Sequence, residues 1–193
     1  MKNEMNLIKD NRSKKIVVVS HCIINQNSKL EGLALRSGVI KEVLDIIVKY
    51  ECGILQMPCP EMLYEGIGRF DKSYEQYETS CFINICKKII EETVDQIENY
   101  IKWNYKVLAI LAIDGSPSCG YNLTQSAPVW KGLVAGVNWE KVRYINKPGL
   151  LIKILIDELT KKNLKIPILG IPEVPELGSI EDSLIKLEKL LNF

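Results

Sequence analysis

Four short apolar runs dominate the hydrophobic pattern of the chain. Their sequences are KIVVVS, GILQM, VLAILAI and IPILGI, at residues 15–20, 53–57, 107–113 and 166–171. Short runs of this kind, rich in branched aliphatic residues, are typical of strands buried on both faces of a parallel sheet. We therefore predict four strands, with Pro167 confined to the start of the last one.

Segments in which apolar residues recur at i, i+3 and i+4 follow these strands, and this spacing is typical of helices that pack on a sheet. They predict helices at residues 36–50, 74–103, 150–162 and 180–191. The second is one long helix or two helices with a break. Pro148 is expected to start the third helix, and Ser179 to cap the fourth with Asp182 as its acidic partner.

The alternation of strands and helices predicts a single three-layer α/β domain. We expect a mainly parallel, Rossmann-like sheet of about four strands flanked by helices. The domain is expected at residues 14–193, after a flexible N-terminal arm at residues 1–13 that is polar and aperiodic.

Two connections are expected to be irregular. The prolines on both sides of Cys59 are expected to exclude a helix there, and residues 62–73, which carry two glycines, to form a loop. Residues 121–146 show little periodicity, so we expect an ordered excursion over the strand ends and a candidate substrate lid.

Charge and composition narrow the class of partner. The 193 residues include 25 Lys and Arg against 24 Asp and Glu, which argues against nucleic acid as the main partner. No apolar run approaches the roughly 18 residues that span a bilayer, and the N-terminus lacks the apolar segment of a secretory signal. We therefore expect a cytoplasmic protein without a membrane or nucleic-acid partner, and a homodimer stays open.

The expected cytoplasmic location and the length of the chain argue against a disulfide framework for the six cysteines. Three of them are interpreted as small buried hydrophobic residues: Cys52, Cys81 and Cys86. The other three each follow a predicted strand: Cys22, Cys59 and Cys119. Because the carboxyl ends of parallel strands share one edge of the sheet, these three are expected to converge there, where α/β proteins bind ligands.

Three converging thiols allow several kinds of chemistry. They suit a soft metal or an iron–sulfur cluster, and three ligands on a four-iron cluster leave one iron open for substrate. His21 is a weak candidate for a further ligand, because it and Cys22 are adjacent on an extended strand end and point opposite ways. A nucleophilic cysteine beside a histidine is an alternative. A further alternative is that the three cysteines are only core residues that lie close together by coincidence.

Three motifs, in order, resemble those of the DUF523 family, to which thiouracil desulfidase belongs. They are Val19-Ser20-His21-Cys22, Cys59-Pro60-Glu61 and Ser116-Pro117-Ser118-Cys119-Gly120. The resemblance covers about residues 15–171 and implies a [4Fe–4S] cluster held by the three cysteines. It also implies that a thiocarbonyl sulfur binds the fourth iron and leaves as sulfide, with a carbonyl product and no net redox change.

The resemblance also directs attention to polar residues beside the cysteines. Glu61 is the candidate general acid/base, although it could be only a solvated or helix-capping carboxylate, and Asp114 and Glu173 are further candidate acids. Ser116 and Ser118 are candidates to bind substrate, water or cluster, although both could only shape the turn. Two features depart from the family: residues 62–65 replace a glycine-rich continuation, and a histidine precedes Cys22 where a small residue is usual.

The function that the resemblance implies, and with which these residues agree, is an iron–sulfur-dependent desulfidase acting on a small thiolated heterocycle of the thiouracil type. A non-catalytic iron–sulfur or zinc-binding sensor or carrier is an alternative, and it would need a firm fourth protein ligand. A cysteine-dependent hydrolase is another, and it would need Cys22 or Cys119 to be reactive without any metal.

Overall fold

A computed structural model of the chain describes residues 10–130 and 139–192. Within these ranges the strands are β1 Lys15–Ser20, β2 Gly53–Met57, β3 Lys106–Ile113, β4 Thr124–Ser126, β5 Arg143–Ile145 and β6 Ile168–Ile171. The α-helices are α1 His21–Ile24, α2 Lys41–Lys49, α3 Pro60–Glu65, α4 Tyr74–Tyr77, α5 Ser80–Lys102, α6 Leu150–Lys161 and α7 Ile180–Leu191. Short 3₁₀ helices occupy Gln26–Ser28, Trp139–Lys141 and Pro175–Leu177.

The central sheet has the strand order β2-β1-β3-β6, and every pair in it is parallel. Helices cover both faces. Val18 of β1 packs in a core with α5 and α6, whereas Val17 and Val19 pack in a second core with α2 and α7. All three valines are fully buried, which explains why this strand is continuously apolar. The predicted three-layer α/β domain with a parallel sheet of four strands is confirmed.

Several helix boundaries differ from the predicted ones. The helix predicted at residues 36–50 begins only at Lys41, because the Ile40 N–H donates to the Ile23 carbonyl and leaves the preceding residues in turns. The helix predicted at 74–103 is two helices, α4 and α5. The break between them is stabilised by Thr79, whose side chain caps α5 by accepting from the Phe82 N–H.

The last two helices lie close to their predicted positions. Helix α6 begins at Leu150 rather than Pro148, since its first N–H groups donate to the Pro117 and Ser118 carbonyls of the preceding loop. Ser179 caps α7 as predicted, with its Oγ 3.0 Å from the Asp182 N–H.

The expectation that prolines exclude a helix beside Cys59 was wrong. Helix α3 begins at Pro60, because the first residue of a helix has no intrahelical partner for its N–H and proline costs nothing there. Cys59 is the N-cap, and its sulfur accepts from the Met62 N–H at 3.4 Å. The helix ends at Glu65, and its C-cap is Gly66, whose φ of 81° favours glycine. The predicted loop is therefore shorter and runs between α3 and α4.

The excursion after β3 contains the antiparallel ribbon β4–β5, in which Gln125 pairs with Tyr144. Its two glycines, Gly132 and Gly136, lie outside the described residues, as does most of the predicted N-terminal arm. The lid role and the domain boundary therefore stay predictions. No helix in the described part of the chain is long and apolar enough to span a membrane.

The three cysteines expected to be buried differ in exposure. Cys86 is a residue of α5 whose side chain is buried in the core, and Cys52 is half-buried. Cys81 is exposed, which corrects the expectation, because it lies on the solvent side of the first turn of α5.

Candidate functional site

One cavity at the carboxyl edge of the sheet contains the three cysteines that follow strands. Cys22 lies on α1 directly after β1, Cys59 lies between β2 and α3, and Cys119 lies in the turn after β3. All three line a cavity of about 230 Å³. The parallel sheet therefore brings together thiols that are separated by tens of residues in the sequence.

The turn that carries Cys119 is held by its own serine. Ser116 Oγ accepts from the Ser118 N–H at 3.3 Å and from the Cys119 N–H at 3.0 Å. Helix α6 packs so closely on this turn that a Cβ on Gly149 would lie 2.6 Å from the Ser118 carbonyl oxygen. Ser116 thus shapes the turn, and it also lines the cavity.

Ser118 connects this turn to the Cys-Pro-Glu segment. Its Oγ donates to Glu61 Oε1 at 2.6 Å and lies 3.4 Å from the Cys119 sulfur. Ser118 is only 1% exposed. A hydroxyl that contacts both a carboxylate and a thiol can stabilise negative charge on either one.

Glu61 is buried rather than solvated, and an arginine neutralises it. Arg69 Nε lies 3.3 Å from Glu61 Oε2, and the side chains of the two residues are 3% and 10% exposed. The same guanidinium donates to the Ser28 carbonyl at 2.9 Å and to the Gly66 carbonyl at 3.3 Å. Arg69 thereby joins the loop after β1 to the loop after α3, and Glu61 joins both to the Cys119 turn.

Cys59 and Cys119 are buried and Cys22 is half-buried, and these surroundings keep the three thiols protonated. Burial raises the pKa of Cys22 to about 12, with a further contribution from the neighbouring Cys59. Burial also raises the pKa of Cys59, where the Glu61 charge adds to the effect. The pKa of Cys119 is raised well above its usual range by burial and by Cys22 and Cys59. The three thiols are therefore close enough to influence one another, and none is an activated nucleophile in this state.

The other candidate acids have different surroundings. Both carboxylate oxygens of Asp114 accept bonds from the following loop, including the Tyr121 and Asn122 N–H groups at 3.0 and 2.8 Å. Asp114 thus organises the backbone. Glu173 forms a buried ion pair of 2.5 Å with Lys29 and accepts from Gln26, whose amide also donates to the Cys22 carbonyl. Both acids line the cavity, but only Glu61 bonds to the cysteine turn.

His21 is not among the residues that line the cavity. One ring nitrogen lies 3.3 Å from Asn25 Nδ2, and the other contacts the side-chain amide of Gln56. Burial lowers the pKa of His21. Both nitrogens are occupied by neighbouring amides, which supports a packing role rather than ligation to the same centre as Cys22.

Sequence reasoning missed two residues of the site. Arg69 follows Gly68 in an aperiodic stretch, and nothing in its spacing indicates that it pairs with Glu61. Asp71 lines the cavity and accepts from Gln125, which belongs to the excursion after β3. These contacts join segments far apart in the sequence, and a single sequence carries no signal for them.

In the described ranges, no three His, Cys, Asp or Glu side chains form a ready site for a single metal ion. An iron–sulfur cluster places a different demand on the protein, because each cysteine binds a separate iron and the sulfurs must stand further apart.

Comparison with known proteins identifies a relative. MJ0003 of Methanocaldococcus jannaschii, an uncharacterized protein, is 41% identical to this chain over 108 residues, which are 56% of the chain and 69% of the relative. The chain belongs to the same family as MJ0003. No family model matches the sequence.

A solved structure titled as the [4Fe-4S]-dependent thiouracil desulfidase TudS is also similar to this chain. The similarity covers 84% of the chain and 95% of that structure, at 18% identity and a TM-score of 0.46. A likeness of this degree indicates neither activity nor substrate.

The buried ion pair predicts a large effect on stability. Replacing Arg69 with alanine leaves the Glu61 carboxylate buried without its cation, so we expect the free energy of unfolding to fall by about 3 kcal/mol. Urea unfolding followed by tryptophan fluorescence measures this change. Arg36→Ala is the matched control, because its partner Glu42 is half exposed, and it should cost less than about 1 kcal/mol. Equal losses in the two variants would contradict the account.

The raised thiol pKa values predict slow alkylation of the site. In metal-free protein at neutral pH, iodoacetamide should modify the exposed Cys81 at least about tenfold faster than Cys22 or Cys119, since protonated thiols react slowly. Labelling of Cys22 should accelerate as the pH rises toward its pKa. Peptide mass spectrometry over time gives each rate. Rapid modification of Cys22 or Cys119 at neutral pH would instead favour the cysteine-dependent hydrolase.

Proposed function

We propose that the chain holds a [4Fe–4S] cluster on Cys22, Cys59 and Cys119 and is a desulfidase of the DUF523 type. Its proposed substrate is a small thiolated heterocycle related to thiouracil. The observation that carries the proposal is the convergence of three cysteines on one cavity, with the Ser118–Glu61 hydrogen bond beside them. The three motifs that resemble DUF523 supply these residues.

The residues present suit such a cluster. Three thiols from separate strand ends match a three-cysteine ligand set, and the cavity contains no histidine in the described residues to complete a fourth position. Cluster binding would replace the thiol protons that burial now retains. When bound, the cluster would supply an iron with an open position, a Lewis acid suited to a soft thiocarbonyl sulfur.

The shape of the cavity favours a small ligand. Its volume of about 230 Å³ lies below the roughly 300–1,000 Å³ of pockets that take drug-sized molecules. Apolar side chains form part of the wall, among them Leu30, Leu33, Ile113 and Leu177. Such a wall excludes water from a flat ring, while the polar residues lie near the cysteines.

The overall reaction converts a thione and water into a carbonyl compound and hydrogen sulfide. Water must lose a proton as it attacks carbon, and the leaving sulfur must gain protons. Glu61 takes one proton from the attacking water, either directly or through the Ser118 hydroxyl to which it is bonded, and returns it to sulfur. The second proton of hydrogen sulfide comes from the hydroxyl group that the attack leaves on carbon, and it is lost as the carbonyl forms. Arg69 stabilises the carboxylate charge that this base requires. Ser116 holds Ser118 in place through the Ser118 N–H.

Removing the carboxylate charge tests this role. Glu61→Gln keeps the size of the side chain and its contact with Ser118 but leaves the buried Arg69 guanidinium without its anion. We therefore expect a lower free energy of unfolding in a protein that still folds and retains its iron, and at least a roughly hundredfold loss of turnover per iron-loaded chain. The assay measures sulfide and uracil formed anaerobically from thiouracil. Glu65→Gln is the control, because Glu65 lies on the same helix but pairs with Lys72 outside the cavity. Full activity in Glu61→Gln would remove the acid/base role, and iron-loaded wild type that releases no sulfide from any thione would overturn the proposed function.

A further inference from the structure

One polar part of the cavity wall takes no part in the chemistry proposed above. Asp71 lies in the loop between α3 and α4, and its Oδ2 accepts a 2.9 Å hydrogen bond from Gln125 Nε2. Gln125 is the central residue of β4 and is 7% exposed. Its cross-strand partner is Tyr144, and residues directly opposite in an antiparallel pair share one face. All three line the cavity.

The surroundings of the Asp71 carboxyl group are unfavourable for the folded state unless a ligand supplies a hydrogen-bond donor. Within residues 10–130 and 139–192, no lysine or arginine forms an ion pair with this carboxyl group. Burial raises the pKa of Asp71, and the bond from Gln125 offsets this only in part. A largely buried carboxyl group without a cation is costly to the folded state. A hydrogen-bond donor entering from the cavity would compensate for that cost.

Asp71 and Gln125 can each form further hydrogen bonds besides the one between them. A carboxylate has about four lone-pair sites, and the Gln125 amide and the Lys72 backbone N–H account for only part of them. Gln125 uses one N–H on Asp71 and has a second N–H to donate. An acceptor beside a donor is complementary to a ring N–H that stands beside a carbonyl or thiocarbonyl group.

We propose that Asp71 is a specificity-determining residue of the cavity, which accepts a hydrogen bond from a ring N–H of the substrate. Gln125 positions the Asp71 carboxyl group and donates to the adjacent carbonyl oxygen of the ring. The site therefore selects ring thiones that carry N–H beside the reacting carbon over the same rings with that nitrogen alkylated. This inference rests on the proposed function, because it assigns a role within the same site.

The test compares two ligands that differ only at nitrogen. Calorimetry on iron-loaded, anaerobic protein measures the dissociation constants of uracil and of 1,3-dimethyluracil, and turnover of the corresponding thiouracils gives the ratio of kcat/KM. Wild type should prefer the N–H compounds by about 10- to 100-fold, as expected for a hydrogen bond to a charged group. Asp71→Ala should reduce both preferences to within about threefold.

Two further variants separate recognition from folding. Asp71→Asn keeps the size of the side chain, and it should also lose most of the preference because a neutral amide is a weaker acceptor. Glu176→Gln removes an exposed carboxylate from the neighbouring 3₁₀ helix and should retain the wild-type ratio. Retention of the full N–H preference by Asp71→Ala would overturn the proposal.

The two readouts distinguish this inference from the proposed function. Wild type that binds uracil selectively through Asp71 but releases no sulfide would support the role of Asp71 and contradict the desulfidase. Wild type that releases sulfide without any N–H preference would overturn the role of Asp71 alone. Wild type that neither binds uracil nor releases sulfide would overturn both.

Discussion

The buried carboxylate of Glu61 is the interaction on which the site depends. Through Ser118 it contacts the turn that carries Cys119, and through Arg69 it is joined to the loop that follows Cys22. Glu61 itself lies two residues after Cys59. One charged group thus connects the three segments that carry the candidate ligands. Because an unpaired buried charge is costly to the folded state, each contact with Glu61 constrains the relative positions of those segments.

The parallel sheet supplies the other constraint. Its strand ends bring the cysteines to one cavity, where burial and their mutual proximity keep all three thiols protonated. A metal that binds there must displace those protons, so the cost of burying thiolates would be offset by metal–sulfur bonds. This arrangement suits a ligand set better than a nucleophile, for which a lowered pKa is required.

Much of this architecture could be predicted from the sequence, and the reasons are local. Apolar runs of strand length and i, i+3, i+4 periodicity identified the layers, and the position of each cysteine after a strand indicated a common edge. Helix boundaries were predicted wrongly where capping residues determine them. Pro60 begins a helix that Cys59 caps, contrary to the expectation. Cys81 is exposed because it lies on the solvent side of α5. Neighbouring positions on a helix point to different sides, so the helical pattern alone did not fix which side Cys81 occupies. Arg69 and Asp71 act through partners distant in sequence, which periodicity and spacing do not reveal.

Iron and sulfide content per chain tests most directly whether Cys22, Cys59 and Cys119 hold an iron–sulfur cluster. Anaerobically reconstituted wild type should contain about four irons and four sulfides with a brown visible spectrum. Alanine at any of the three positions should abolish this content, whereas Cys86→Ala, which replaces a cysteine buried in the nearby core, should retain it. A colourless, iron-free wild type that still releases sulfide from thiouracil would contradict the account.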